Sequence, residues 1–236
     1  ITDLEEEYLK TIKNIGIEEN EPTVETEKEE ELEENMEELK YYNEYGGFSE
    51  NGLEYKIKIG KDNKLPTAWS MILANPKFGT LVTQNIGGFT WHKNSRLNRL
   101  SAWNNEPVLD IPSEIIYLKD KENGKKWSLS NNLNDIQTNS YINYSLEFVN
   151  FKNIYNGIYQ ELNIFVPKED TVKINILNLK NLHAKKRKLK LLYYIKDVLG
   201  EDEIKTNGNI QLVKEANVIF ANNLYKDSFK RCIPYI

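Results

Sequence analysis

Between Gly87 and Asn105 the chain reads Gly-Gly-Phe-Thr-Trp-His-Lys-Asn-Ser-Arg-Leu-Asn-Arg-Leu-Ser-Ala-Trp-Asn-Asn. The indoles Trp91 and Trp103, the guanidiniums Arg96 and Arg99 and several carboxamides, Asn94 among them, crowd a stretch too polar to be a plain strand. Aromatic faces pack against the C–H faces of pyranose rings, and Asn and Arg offer planar, directional hydrogen bonds to hydroxyl groups. Trp91, Asn94, Arg96, Arg99 and Trp103 are therefore the candidate substrate-binding residues, with a carbohydrate as the ligand. The same residue types also fill the core of a β domain and pin its loops, and composition leaves both readings open.

Other chemistry leaves no signature. The sequence contains no phosphate-cradling glycine loop, no Gly-x-Ser-x-Gly elbow and no His-Glu-x-x-His. His92 and His183 are isolated and lack the spacing of a metal set. No pair of carboxylates stands out from the strand pattern as an acid and base couple. The expectation is no catalytic residue, no metal and no cofactor in this chain. Cys232 is the only cysteine, so it has no thiol partner, in keeping with a reducing compartment. No run approaches the roughly eighteen apolar residues of a membrane span, and the first residues lack a basic signal-peptide start. A cytoplasmic location is expected, with no membrane partner. The net charge of -5 argues against a nucleic-acid partner. The basic run Lys185-Lys186-Arg187-Lys188, with Lys190, is read as a solvated turn between two strands.

The elements that must position these residues change character along the chain. Over residues 1–44 the pattern is helical: Leu4, Tyr8, Ile12 and Ile15 form one stripe, and Leu32, Met36, Leu39 and Tyr42 form another. Thr26 and Glu29 offer a capping box before the second stripe, and the glutamates around it make an acidic, wet face. From residue 45 to 236 the period becomes two, as in Leu53, Tyr55, Ile57 and Ile59 alternating with Glu54, Lys56 and Lys58. Similar runs cover 78–83, 115–119, 141–151, 158–166, 172–182 and 189–195, with turn signals at Asn51-Gly52, Asn123-Gly124 and Asn207-Gly208. The expected fold is mainly β, a large antiparallel β-sandwich with an N-terminal helical appendage. The first residue is not Met and the last residues, Cys232 to Ile236, read as a strand, so a fragment of a longer protein is expected.

From Tyr45 onward the chain resembles the amino-terminal domain of glycoside hydrolase family 94, formerly glycosyltransferase family 36. The likeness is carried by Tyr45-Gly46-Gly47-Phe48-Ser49 with Glu54-Tyr55, by Pro66-Thr67-Ala68-Trp69-Ser70 and by Ala74-Asn75-Pro76-Lys77-Phe78-Gly79. It continues through Gly88-Phe89-Thr90-Trp91, Asn94-Ser95-Arg96-Leu97-Asn98-Arg99-Leu100, Trp103-Asn104-Asn105, Pro107-Val108, Asp110, Glu114, Tyr117-Leu118-Lys119-Asp120 and Trp127-Ser128. Phe165-Val166-Pro167, Val172-Lys173, Asn181 and Val198-Leu199-Gly200 complete it. The wording stands closer to the 1,2-β-oligoglucan phosphorylase and cyclic β-1,2-glucan synthase branch than to cellobiose phosphorylase.

The resemblance implies a supersandwich of the galactose-mutarotase-like kind, standing before an (α/α)6 barrel in the same protein. It further implies inverting phosphorolysis of β-linked, here β-1,2-linked, gluco-oligosaccharides, with inorganic phosphate as co-substrate. The acid belongs to the barrel, and no residue of this chain matches it. The sandwich would then be non-catalytic, would shape the acceptor side of the pocket and would support a homodimer. The alternative is a stand-alone carbohydrate-binding or scaffolding domain. Two departures bear on specificity: Ser140-Tyr141-Ile142-Asn143-Tyr144-Ser145 replaces a His-Gly-x-Gly-Tyr-Ser type segment, and Lys196-Asp197 replaces a Glu-Trp pair.

Overall fold

A computed structural model describes residues 32–36, 38–60, 63–130, 138–201, 203–206, 208–230 and 234–236. In its first half the strands are β1 (Gly46–Phe48), β2 (Glu54–Ile59), β3 (Ser70–Ala74), β4 (Phe78–Thr83), β5 (Gly88–His92), β6 (Arg99–Ser101), β7 (Glu114–Asp120) and β8 (Lys126–Ser128). The second half holds β9 (Ser140–Ser145), β10 (Phe148–Tyr155), β11 (Ile158–Phe165), β12 (Ile174–Asn181), β13 (Leu189–Ile195), β14 (Asp197–Gly200), β15 (Ile210–Glu215) and β16 (Val218–Asn223). Among the described residues, single helical turns, α1 (Glu203–Thr206) and α2 (Asp227–Lys230), occur only near the end. No helix among the described residues is long and apolar enough to cross a membrane.

The strands form a six-stranded sheet in the order β1-β2-β9-β10-β11-β12, a five-stranded sheet β14-β6-β5-β4-β3, a three-stranded sheet β13-β7-β8 and the hairpin β15-β16. Alternation explains the layering. In β11, Ile158, Gln160, Leu162 and Ile164 are buried while Tyr159, Glu161, Asn163 and Phe165 are half-buried, so one face of the strand turns inward. One apolar cluster takes Ile57, Ile142, Val149, Phe151 and Leu162 from the six-stranded sheet, Leu73 and Val82 from the five-stranded sheet and Leu118 and Trp127 from the three-stranded sheet. Each such side chain contributes roughly 1.5–3 kcal/mol by leaving water. Polar ties cross the same interior: the Trp127 indole N–H donates to Gln160 Oε1 at 2.8 Å, and the Tyr144 hydroxyl donates to the Trp69 carbonyl at 2.7 Å. The mainly β, antiparallel architecture expected from the period of two is the one observed.

The helical appendage is not. In the described part of that segment, Leu32 to Met36 carry no helix and alternate half-buried with exposed. Glu34 forms an ion pair with Lys152 of β10 at 2.7 Å. Lys40 pairs with Phe48 of β1 through N–H to carbonyl bonds in both directions, at 2.8 and 2.9 Å. Contacts with the sheet override the helical propensity of a glutamate-rich run. The stripe of Leu4, Tyr8, Ile12 and Ile15 and the Thr26 cap lie outside the described residues.

The run expected over 141–151 divides into β9 and β10 at an exposed Leu146, where the Glu147 amide donates to Ser145 Oγ at 3.3 Å. Apolar residues continue through that turn, so periodicity alone shows no break. In the basic run, Lys185, Lys186, Lys188 and Lys190 are exposed, but Arg187 turns inward. It pairs with the buried Asp120 and donates to the Asn156 carbonyl at 3.1 Å.

Candidate functional site

The candidate sugar residues lie on and beside the hairpin that joins β5 to β6. Asn94 organises its turn: the side-chain oxygen accepts from the amides of Arg96 at 2.9 Å and Leu97 at 2.8 Å, and its carbonyl accepts from the Asn98 amide at 3.0 Å. This is the local role for which a short carboxamide is suited. Lys93, with φ of 61°, turns the chain and donates its amide to the Lys77 carbonyl at 2.7 Å. Arg96 stands exposed at the tip.

The base is rigid. Phe89 and Trp103 stack with centroids 4.6 Å apart and planes 16° apart, and Trp91 lies 5.1 Å from Phe89 at 39°. The Arg99 guanidinium sits 5.1 Å from the Phe89 centroid and 5.8 Å from that of Trp103, in cation–π range. It also donates through Nε to the Ser95 carbonyl at 3.1 Å and through a terminal nitrogen to the Trp103 carbonyl at 3.4 Å. Trp91 is opposite Arg99 in the ladder, and its indole lies so close over Gly79 that a Cβ there would stand 2.4 Å from the ring. Trp91, Arg99 and Trp103 are thus gathered around Phe89, whereas Asn94 and Arg96 occupy the tip. Both indoles are half-buried and lie outside the main apolar cluster.

A second polar assembly sits behind β5, and the residue-type reading of the sequence did not single it out. Glu114 of β7 is paired with Lys173 and accepts from Ser101 Oγ at 2.7 Å, Thr90 Oγ1 at 2.8 Å and the Tyr193 hydroxyl at 3.0 Å. Burial alone would raise this carboxyl. The Lys173 ammonium and the hydrogen bonds from Lys173, Ser101 and Thr90 reverse that and hold it below the usual range. Burial, followed by the Glu114 charge, pushes the Tyr193 hydroxyl far up. Nearby, buried Asp110 accepts from Thr83 Oγ1 at 2.6 Å and Asn85 Nδ2 at 3.1 Å, and burial raises it despite those bonds. The available signal was register: Glu114 and Lys173 abut the apolar runs Ile115-Ile116 and Ile174, at positions a surface charge avoids.

The two departures from the family wording are both ordered. Lys196 pairs with Glu203 at 2.6 Å. Asp197, opposite Ser101 in the β14–β6 ladder, is pushed up to about 6 by burial and then by the Glu114 charge. Tyr144 is the residue that ties β9 to Trp69. Among the described residues no group of three or more His, Cys, Asp or Glu side chains is arranged to hold a metal ion. Burial, followed by the Lys93 charge, lowers the His92 imidazole.

The sequence matches a known domain type. The family described as glycosyl hydrolase 94, supersandwich domain, matches residues 53–235. The chain is 26% identical over 198 residues to the cyclic beta-(1,2)-glucan synthase NdvB of Rhizobium meliloti (strain 1021), covering 82% of this chain and 7% of that protein. It is 28% identical over 156 residues to the N,N'-diacetylchitobiose phosphorylase of Vibrio proteolyticus, covering 64% of this chain and 19% of that enzyme. The N,N'-diacetylchitobiose phosphorylase of Vibrio furnissii matches to the same extent, 28% over 156 residues. The chain therefore spans no more than 19% of the length of these relatives. With residues 53–235 matched, from β2 through the β15–β16 hairpin, the chain belongs to the glycosyl hydrolase 94 supersandwich domain family.

Proposed function

We propose that this chain is the non-catalytic supersandwich of a larger glycoside phosphorylase, acting on β-linked and specifically β-1,2-linked gluco-oligosaccharides. Membership in the family and the phosphorylase and glucan synthase relatives support the reading. The observation that carries the chain's part in it is the β5–β6 hairpin. Its base is locked by Phe89, Trp103 and Arg99, while Arg96 projects from the tip beside the Asn94 turn. An exposed guanidinium carried on a rigid arm suits a sugar hydroxyl at the acceptor side of a pocket completed by another domain.

In that reaction inorganic phosphate attacks the anomeric carbon, the bond from that carbon to the glycosidic oxygen breaks, and a carboxylic acid gives its proton to the departing oxygen. The products are a sugar 1-phosphate of inverted configuration and a free acceptor. Phosphate is already anionic, so no base is needed to activate it. The acid is assigned to an (α/α)6 barrel of the same protein, and the supersandwich to acceptor positioning and support of a homodimer in the cytoplasm.

The test is sugar-phosphate release by the parent enzyme from sophorose, laminaribiose, cellobiose and chitobiose. Sophorose is expected to be the best substrate, and Arg96→Ala is expected to raise KM for the acceptor in the synthetic direction with little change in thermal midpoint. Enzyme-like phosphorolysis by the 236-residue chain alone would defeat the assignment.

A further inference from the structure

An aromatic array on β1, β2, the turn before them and Trp69 just before β3 is used neither by the hairpin nor by the Glu114 assembly. Phe48 meets Tyr55 at 4.9 Å and 81°, Tyr55 meets Trp69 at 6.0 Å and 62°, and Trp69 meets Tyr45 at 5.9 Å and 73°. Tyr55 and Trp69 are packed against the main apolar cluster, so the array anchors the exposed rings beside it to the sheet. Beside it stand Tyr41, 86% exposed, and Tyr42, 49% exposed, and Phe48 itself is 41% exposed.

The turn that presents them is built, not loose. Lys40 is bonded to Phe48 in both directions, and the Asn43 amide donates to the Gly46 carbonyl at 3.0 Å. Asn43 Oδ1 accepts from the Gly46 amide at 3.1 Å and from the Tyr55 hydroxyl at 3.3 Å. The Tyr42 hydroxyl donates to the Glu44 carbonyl at 3.0 Å, and Asn63 Nδ2 donates to the same carbonyl at 3.3 Å. Tyr41 and Glu44 hold positive φ, 54° and 74°, a conformation that costs a non-glycine residue and that the turn keeps all the same.

We infer that Tyr41, Tyr42 and Phe48 form a carbohydrate platform that takes a β-linked glucan chain, separate from the β5–β6 hairpin; the identity of the sugar rests on the proposed function. In a β-glucopyranose every ring substituent is equatorial, so both faces present C–H groups that stack on aromatic rings. The polar atoms around the rings are engaged within the turn, Asn43 Oδ1 with the Gly46 amide and the Tyr55 hydroxyl and Asn63 Nδ2 with the Glu44 and Lys58 carbonyls, so ring stacking carries the platform. The platform would hold the polymer to the domain and leave bond cleavage to the barrel.

The test is calorimetric titration of the full chain with β-1,2-, β-1,3- and β-1,4-linked gluco-oligosaccharides, with Tyr41→Ala/Tyr42→Ala and Arg96→Ala as variants. Binding of one series, weakened about tenfold or more by the tyrosine pair and hardly by Arg96→Ala, is the expected result. Unchanged circular dichroism in the tyrosine variant ties the loss to the rings. No heat with any series, or a loss confined to Arg96→Ala, overturns the platform. Sugar-phosphate release from sophorose by the parent enzyme reads the proposed function separately, because a disaccharide is cleaved whether or not the platform holds polymer. If the parent cleaves and the chain binds no glucan, the platform falls alone; if the chain binds through the tyrosines and the parent releases no sugar phosphate, the phosphorylase reading falls alone.

Discussion

Glu114 at the start of β7 and Lys173 just before β12 form an ion pair inside the sandwich, with side chains 9% and 13% exposed. The pair joins the three-stranded sheet to the six-stranded one. Thr90 and Ser101, which donate to the same carboxylate, bring in the five-stranded sheet. One carboxylate therefore fixes how three sheets meet directly behind the strand that leads into the candidate hairpin.

Removing one partner of such a pair leaves a buried charge without compensation. Lys173→Met is expected to cost about 3–5 kcal/mol in urea unfolding, because the Glu114 carboxylate stays and its counterion goes. Pairing it with Glu114→Leu is expected to recover part of that loss, since an apolar pair replaces two desolvated ions while Ser101, Thr90 and Tyr193 lose their shared acceptor. A double variant as unstable as the sum of the two single ones would contradict this account.

Asp197 and Glu114 give stability opposite dependences on pH. Asp197 is pushed up to about 6, so between the ordinary carboxylate value and that point the folded chain binds a proton the unfolded chain releases. Its effect is a loss of stability as pH rises through about 6, and Asp197→Asn should gain about 2–3 kcal/mol at neutral pH. Glu114 is held low, so its contribution is complete above the ordinary carboxylate value and disappears as pH falls through the lower folded value. Stability should peak in the mildly acid range. Denaturation midpoints from about pH 3 to about pH 8 check it: in Asp197→Asn the decline between about pH 4 and about pH 6 should vanish, and an unchanged decline would be decisive against it.

The layering was legible because strands with one buried face must alternate, as Ile158, Leu162 and Ile164 do. The short strands β5, β6 and β8 were not, since three to five residues carry too little alternation to stand out. The segment from Leu32 to Met36 read as helix because spacing and glutamate content describe propensity, and only the fold reveals Lys152 waiting for Glu34. Residue types in the candidate hairpin were visible, but their division into a locked base and an exposed tip depends on Phe89, which had no polar atom to draw attention to it. Glu114 and Lys173 are 59 residues apart, and no local pattern links them.

The hairpin separates its two arginines by role. Arg99→Ala removes the contacts with Phe89 and Trp103 and the bond to the Ser95 carbonyl, and should cost about 1–2 kcal/mol. Arg99→Lys keeps the charge but not the planar fork, so it should recover only part. Arg96→Ala, at an exposed tip, should stay within about 0.5 kcal/mol of the parent chain. Thermal unfolding of the three variants ranks them, and equal midpoints for Arg96→Ala and Arg99→Ala would count against a locked base.

Arg187 stands apart from the lysines that flank it. Asp120, whose side chain is fully buried, takes the guanidinium and accepts the Glu122 amide at 2.7 Å through its other oxygen, while the Asn156 carbonyl accepts from Arg187 at 3.1 Å. The loop before β13 is thereby pinned to the end of β7 and to the turn between β10 and β11. Arg187→Met should destabilise by about 3–5 kcal/mol, because Asp120 keeps its charge with no partner. Arg187→Lys should fall between, since an ammonium can meet the carboxylate but cannot also span to Asn156 in the same plane. Lys185→Ala and Lys186→Ala, in the exposed part of the loop, should each change stability by less than about 0.5 kcal/mol. Chemical denaturation of the four variants decides the point: a loss shared evenly among them would mean that the loop acts through its total charge, and a loss confined to position 187 that it acts through the buried fork.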